Sequence, residues 1–193
     1  MFRFLETIAI TADGARNLSY HQKRVNKAFQ VFFPNHQPLA LNEVVGKMRS
    51  NMLEKCRIVY ETEIISISRE VYVPKLKSSF QLVQADNLDY SHKFSDRSGL
   101  EALQHGVQAD DIIIVKNGLI TDSSYGNVAF YWDGKWITPE TPLLPGTMRQ
   151  FLLDTGLLLP MDISCEQVYD YEKVLIYNSM IGFCPEMAIS VRN

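Results

Sequence analysis

Four short stretches of this chain carry residue types that could do chemistry. The first is Asp89-Tyr-Ser-His-Lys-Phe-Ser-Asp-Arg97, with Lys93 at its centre. It is a polar, turn-prone run between a strand-like segment (residues 80–85) and a helix-like one (residues 98–105). A lysine held at such a junction suits an amine nucleophile, because partial burial lowers the amine pKa and makes the neutral form available. Taken alone, a lysine is more often a solvated surface group. The second stretch is Gly118-Leu-Ile-Thr-Asp-Ser-Ser-Tyr-Gly-Asn127, which places the acid of Asp122 at the end of a buried strand, where a planar ring could rest. By itself an Asp such as Asp122 is more often an Asx-type loop cap. The third is Pro142-Leu-Leu-Pro-Gly-Thr-Met-Arg-Gln150. There Gly146 lets backbone approach a ligand, and the N–H groups of Thr147 and Met148 point out of a helix start, as an anion requires. The fourth, Tyr177-Asn-Ser-Met-Ile-Gly182, offers the hydroxyl of Ser179.

These stretches need a fold to position them. With 193 residues, 46% hydrophobic and 21% charged, the chain can bury a full core as one large domain or two small ones. A formal charge of -3 with no Lys/Arg run argues against nucleic acid, and no apolar run approaches membrane length. Cys56, Cys165 and Cys184 are too few and too widely spaced for a disulfide framework or a CxxC metal pair, so a reducing cytoplasm is expected. Periodicity predicts a strand over residues 2–11, a turn at Asp13-Gly14 and a helix to about residue 32 capped by Asn17 or Ser19. A second helix is expected over residues 41–54, then strands over 57–64, 66–73 and 79–85. After Lys93 come a helix (98–106) and a buried strand (111–116). Hairpins follow at Asn117-Gly118 and Asp133-Gly134, then a helix from Thr147 or Met148 to about 157. Strands near 163–166, 174–177 and 187–191 close the chain. The pattern is α+β, with mixed sheets in two lobes, a small one at 1–77 and a larger one at 78–193 carrying Lys93. Residues 75–79 form the hinge, and a ligand belongs in the cleft between the lobes.

In this order, the lysine junction, "ITDSSxxN", "LLPGTMRQ" and "NSMIGFCP" together resemble the fold-type IV pyridoxal-phosphate enzymes, the class IV aminotransferase family. Upstream, "FLETIAI…DG…YHQKRVNKAF" is similar to that family's "FETIRV…DG…HLxRL", so the likeness runs from about Phe4 to Pro185. The resemblance implies a D-amino-acid-aminotransferase-like fold with pyridoxal 5'-phosphate in the interlobe cleft. It makes Lys93 the Schiff-base lysine and proton shuttle, and Arg24 the phosphate clamp. Thr147, Met148 and Ser179 become the rest of the phosphate cup. Asp122 stands where the family usually has Glu beside the pyridine nitrogen, one methylene shorter, so the ring must sit closer to the strand or a water must bridge. The chain begins almost on the "FETI" motif, as a compact variant or as one lacking the family's opening.

Within the family the resemblance leans to 4-amino-4-deoxychorismate lyase. Thr7 after Glu6 matches the lyase pattern, where branched-chain transaminases tend to carry Gly and D-amino-acid transaminases Val. "GTMRQF" is similar to the lyases' "GIMRQF", and Arg97 falls where "KHLNR" has its arginine. Thr7 then becomes the hydroxyl that steers a proton to departing pyruvate. The alternatives are transamination of branched-chain L- or D-amino acids and a non-catalytic relative. A homodimer is implied by resemblance. Arg57, Arg69, Arg97 and Arg149 are all candidates for receiving substrate carboxylates.

Overall fold

The computed structural model describes residues 2–191. Contacts divide the chain into two units: residues up to Pro74 together with His92–Asp96, and Lys75–Ser91 together with the residues from Arg97 onward.

The first unit starts with β1 (Phe4–Thr11), which turns through Asp13-Gly14 into the short β2 (Gly14–Ala15). α1 (Leu18–Phe32) follows, then α2 (Leu41–Val45), β3 (Glu54–Tyr60) and β4 (Ile64–Val71). The sheet runs β2-β1-β3-β4 and is antiparallel throughout. α1 buries Val25, Ala28 and Phe29, at helical spacing, against Phe4, Ile8, Ile10, Cys56, Ile58 and Tyr60 on one face of β1 and β3. Asn17 is the N-cap but makes no side-chain cap bond; it serves by adopting a left-handed backbone, φ 53°. The helix expected over 41–54 stops at Val45 with Gly46 as its cap, so β3 begins three residues before the expected 57.

In the second unit β5 (Phe80–Gln84) leads past the Lys93 junction to α3 (Ser98–Ala102) and β6 (Asp111–Lys116). β7 (Leu119–Ser123), β8 (Asn127–Trp132) and β9 (Lys135–Pro139) follow, then α4 (Thr147–Asp154) and β10 (Leu159–Met161). A 3-10 turn (Glu166–Asp170), β11 (Lys173–Tyr177) and β12 (Ile189–Ser190) complete it. The hairpin turns have the positive φ values their Asn-Gly and Asp-Gly sequences favour, 52° and 76° at Asn117-Gly118, 46° and 76° at Asp133-Gly134. The sheet order is β10-β9-β8-β7-β6-β5, with β11 joined to β8 and β12; β5/β6 and β9/β10 are parallel, the rest antiparallel. Ile112 to Val115 are fully buried, as a β6 covered on both faces demands. One face packs Ile113, Val115, Val128, Phe130, Val174 and Ile176; the other packs Met148 and Leu152 of α4 on Ala129, Leu175 and Tyr177. The strand expected over 163–166 is a single bridge, Leu119 to Ser164, and the paired strand lies earlier, at β10.

The main division falls between Pro74 and Lys75, beside the expected hinge, but one segment lies elsewhere than the sequence reading put it. Lys93 was expected with the larger C-terminal lobe, but His92–Asp96 belongs with the first unit, because it pairs with β1 there. The expected hinge at 75–79 is fastened: Asp110 accepts from the N–H and Oγ of Ser78 at 2.8 and 2.6 Å, and Lys77 Nζ donates to the Asp110 carbonyl at 2.5 Å. No helix among the described residues is long and apolar enough to cross a membrane.

Candidate active site

In the first unit, residues 93–95 run along the edge of β1 that β3 leaves open. Leu5 N–H donates to the Lys93 carbonyl at 2.9 Å, Ser95 N–H donates to the Arg3 carbonyl at 2.8 Å, and Phe4 bridges Phe94. His92 and Phe94 both pack edge-on against Phe32 of α1. Lys93 itself stands in a tight turn, with Phe94 N–H donating to the His92 carbonyl at 2.8 Å, and its charge reaches His21 on the α1 side. On β1, Thr7 looks away from α1, since Glu6 and Ile8 are buried on the α1 side, and Thr7 is in register with Arg57 across β1 and β3.

The α1 side holds a charge cluster. Glu6 is fully buried and accepts from Arg24 Nε at 2.8 Å and Nη2 at 2.5 Å, while His21 Nδ1 lies 2.5 Å from its Oε2. Burial pushes the Glu6 carboxyl up, but the Arg24 charge and the bonds from Arg24 and His21 outweigh it and hold the pKa at about 2. Burial lowers the His21 pKa against the pull of Glu6, and the charges of Arg24 and Lys93 add to the lowering. The guanidinium fork of Arg24 is thus fixed by a carboxylate that sequence reasoning had passed over. The signal was available: Glu6 interrupts an apolar face of Phe4, Ile8 and Ile10, and a buried acid needs a partner.

The second unit gathers the other motifs at one end of its sheet. Asp122 pairs with Asn127, which pairs with Tyr177. Asn127 Nδ2 donates to Asp122 Oδ1 at 2.7 Å and to the Leu144 carbonyl at 2.9 Å, and Leu144 N–H donates to Asp122 Oδ2 at 2.7 Å. Both Asp122 oxygens are engaged, yet burial still pushes its pKa up to about 7, against the hydrogen bonds and the charge of Arg149. Gly146, the N-cap of α4, has no room for a side chain, since a Cβ would stand 2.0 Å from Asn127 Oδ1. Gly126 is equally tight, a Cβ meeting the Tyr177 carbonyl at 2.6 Å. Thr147 and Met148 open α4, and Ser179 lies two residues past β11 in a turn where Asn178 Oδ1 accepts from Met180 and Ile181 N–H at 2.8 and 3.0 Å.

Of the sequence-predicted residues, Lys93, Thr7 and Arg24 fall in the first unit, Lys93 with its carbonyl on Leu5 and Arg24 on the α1 side beside Glu6. Asp122, Thr147, Met148 and Ser179 come together in the second unit. Glu6 and Asn127 were not singled out. Of the four arginines, Arg69 is paired with Glu54 at 2.6 Å, and Arg97 Nη2 donates to the Ser124 carbonyl at 2.8 Å. Arg149 is 6% exposed, with Nη2 donating to the carbonyls of Pro139 and Glu140. Arg57 is exposed beside Thr7.

The family model for amino-transferase class IV matches residues 3–189. The chain belongs to this family. A protein of unestablished function from Haemophilus influenzae is 35% identical over 188 residues, 94% of this chain and all of the relative. A crystal structure from Haemophilus somnus, provisionally named 4-amino-4-deoxychorismate lyase, superposes with a TM-score of 0.89 at 35% identity, covering 95% of this chain and 98% of that one. A hypothetical aminotransferase from Mycobacterium tuberculosis, solved in a PLP-bound form, shares the fold at TM-score 0.74 and 16% identity, over 98% of this chain and 80% of that one.

The residues present fit a phosphorylated pyridine aldehyde. Taken unit by unit, the first offers a lysine held by its backbone at a strand edge, and the second offers a buried carboxyl and, behind Gly146, a helix start of the kind that suits a phosphate.

Proposed function

We propose that this chain is a pyridoxal-phosphate-dependent lyase that converts 4-amino-4-deoxychorismate to 4-aminobenzoate and pyruvate, a step toward folate. The observation that carries the reading is the Lys93 backbone held against Leu5, two residues before Thr7 and its cross-strand neighbour Arg57, on a chain with a 35%-identical relative provisionally named for that reaction.

Pyridoxal phosphate, when bound, supplies an electron sink for the pair left at the substrate carbon. Lys93 would hold the cofactor through its amine, and the same amine would take the proton from the substrate's amine-bearing carbon. The enolpyruvyl C–O bond then breaks, the ring becomes aromatic and enolpyruvate leaves. Thr7 delivers a proton to the departing group, which is released as pyruvate. Asp122 would hold the ring nitrogen. Arg24, fixed by Glu6, binds phosphate together with the first amides of α4 and Ser179. Arg57 receives a substrate carboxylate, as a guanidinium fork beside the reacting groups is suited to do. The active molecule is a cytoplasmic homodimer.

Lyase chemistry needs no amino acceptor, and this separates it from transamination. Purified chain loaded with pyridoxal phosphate and given aminodeoxychorismate should release 4-aminobenzoate with no keto acid present. A requirement for 2-oxoglutarate or pyruvate would assign it to the transaminases.

A further inference from the structure

The turn between β7 and β8, in the second unit, is closely tied and holds two cations. Ser123 N–H and Oγ both donate to the Gly126 carbonyl, at 2.8 and 3.1 Å. Ser124 Oγ donates to Asp111 Oδ1 at 2.7 Å, and Asn178 Nδ2 donates to the Tyr125 carbonyl at 3.3 Å. Onto this turn Arg97 Nη2 donates at 2.8 Å, to the Ser124 carbonyl, while its guanidinium carbon lies 5.9 Å from the ring centre of the buried Tyr90. At the next residue, Lys77 Nζ lies 5.7 Å from the Tyr125 ring centre and donates to the Asp110 carbonyl.

Both cations are half-buried, and neither has a carboxylate within ion-pair distance among the described residues, whereas Arg3, Arg24, Lys55 and Arg69 each do. The Asp110 carboxylate, next to Lys77, is taken by Ser78. A carbonyl and an aromatic face fix a guanidinium in place without cancelling its charge, and the carbonyl uses only one of its five N–H groups. The remainder of the fork suits an anion brought from outside, and a carboxylate fits it best. Beside Tyr125 a groove lined by Lys75, Lys77, Ile176, Ile181 and Met187 sets carbon surface next to the charges, so the anion it suits has an apolar frame.

We propose that this turn is a carboxylate receptor that sets the substrate class: the Arg97 fork binds one carboxylate of a two-carboxylate substrate directly, and Lys77 adds positive charge from the adjoining residue. Aminodeoxychorismate carries two carboxylates, whereas an amino acid with an apolar side chain carries one and leaves the receptor empty. The assignment rests on the reading given above, in which Arg57 takes one carboxylate and the second needs a partner.

The test uses the full chain with saturating pyridoxal phosphate and two unreactive probes, isophthalate and benzoate, titrated by calorimetry. The parent should bind the dicarboxylate about tenfold more tightly. Arg97→Gln should lose that preference while benzoate binding stays near the parent's, and Lys77→Gln should reduce it about threefold. Lys135→Gln, exposed in the β8–β9 hairpin, should leave it unchanged. Shielding of Arg97 from phenylglyoxal by isophthalate, read on the parent by peptide mass spectrometry, makes the test independent of how the variants fold. A parent with no preference, a folded Arg97→Gln that keeps the parent's preference, or an unshielded Arg97 overturns the proposal. So does an Arg97→Gln that weakens both probes alike, since that would make Arg97 a structural tie. A preference that depends on Arg97 in a chain that releases no 4-aminobenzoate would uphold the receptor and overturn the lyase reading instead.

Discussion

Glu6 in the first unit and Asp122 in the second are both buried carboxyls, yet one is held at a pKa of about 2 and the other raised to about 7. Burial pushes both upward and is the largest influence on each. What separates them is the partner. Glu6 meets a guanidinium fork at 2.8 and 2.5 Å and an imidazole at 2.5 Å, whereas Asp122 meets two neutral amides at 2.7 Å and a cation only at longer range. A carboxylate in direct contact with a cation is a structural anchor; one held by dipoles alone stays poised between charged and neutral. The first unit uses its acid to fix Arg24, while the second keeps its acid adjustable.

The most destructive way to break this contrast is Glu6→Gln. It leaves Arg24 facing a neutral amide in a buried site, and removing one partner of such a pair costs about 3–5 kcal/mol. In the parent, Glu6 titrates below its ordinary 4.5, so its stabilisation is complete above pH 4.5 and is lost as pH falls toward 2. Chemical denaturation should show the variant weakened at pH 7 and without that acid limb. A parent-like stability at pH 7 would mean the ion pair is not the anchor described.

Asp122→Asn should act with the opposite sign. Its folded pKa lies above the ordinary 3.8, so the neutral form suits the fold; stability is highest below pH 4 and declines as pH rises to about 7. The shift corresponds to on the order of 4 kcal/mol across that window, reduced by whatever relaxation the charged form allows. Melts of the cofactor-free chain between pH 4 and 8 should slope downward in the parent and flatten in Asp122→Asn. An identical slope in both would show that another group titrates there.

A smaller effect is expected from Gly146→Ala. The new methyl would collide with Asn127 Oδ1, so the amide must swing away and loosen its bonds to Asp122 and Leu144. A loss of about 2 kcal/mol is expected, together with weaker cofactor binding. Unchanged stability would show that Asn127 is not fixed by that contact.

Much of this was legible in the sequence, and the reasons differ by element. DIIIVK reads as a doubly covered strand, and the Asn-Gly and Asp-Gly turns force their hairpins, because local chemistry decides both. The helix expected over 41–54 failed because its apolar spacing persists past Gly46, while pairing with β4 claims the residues from Glu54 on. The site residues were legible as motifs but not as contacts. Lys93 looked like part of the lobe that surrounds it in sequence. Its neighbours His92 and Phe94 instead seek the aromatic cluster of Phe4 and Phe32, and no local pattern reports a pairing with a strand some ninety residues away. Glu6 was visible as an acid on an apolar face but was read as part of a motif. Arg149 was one of four open candidates for a substrate carboxylate, and its burial in the first turn of α4 was not legible from its motif.

The central claim is that Lys93 is the amine that carries the cofactor. Pyridoxal phosphate added to the purified chain, followed by borohydride reduction and peptide mass spectrometry, should fix one pyridoxyl phosphate on the peptide containing Lys93, and Lys93→Ala should lose both the adduct and 4-aminobenzoate release. A stoichiometric adduct on another lysine, or none at all, would contradict the account.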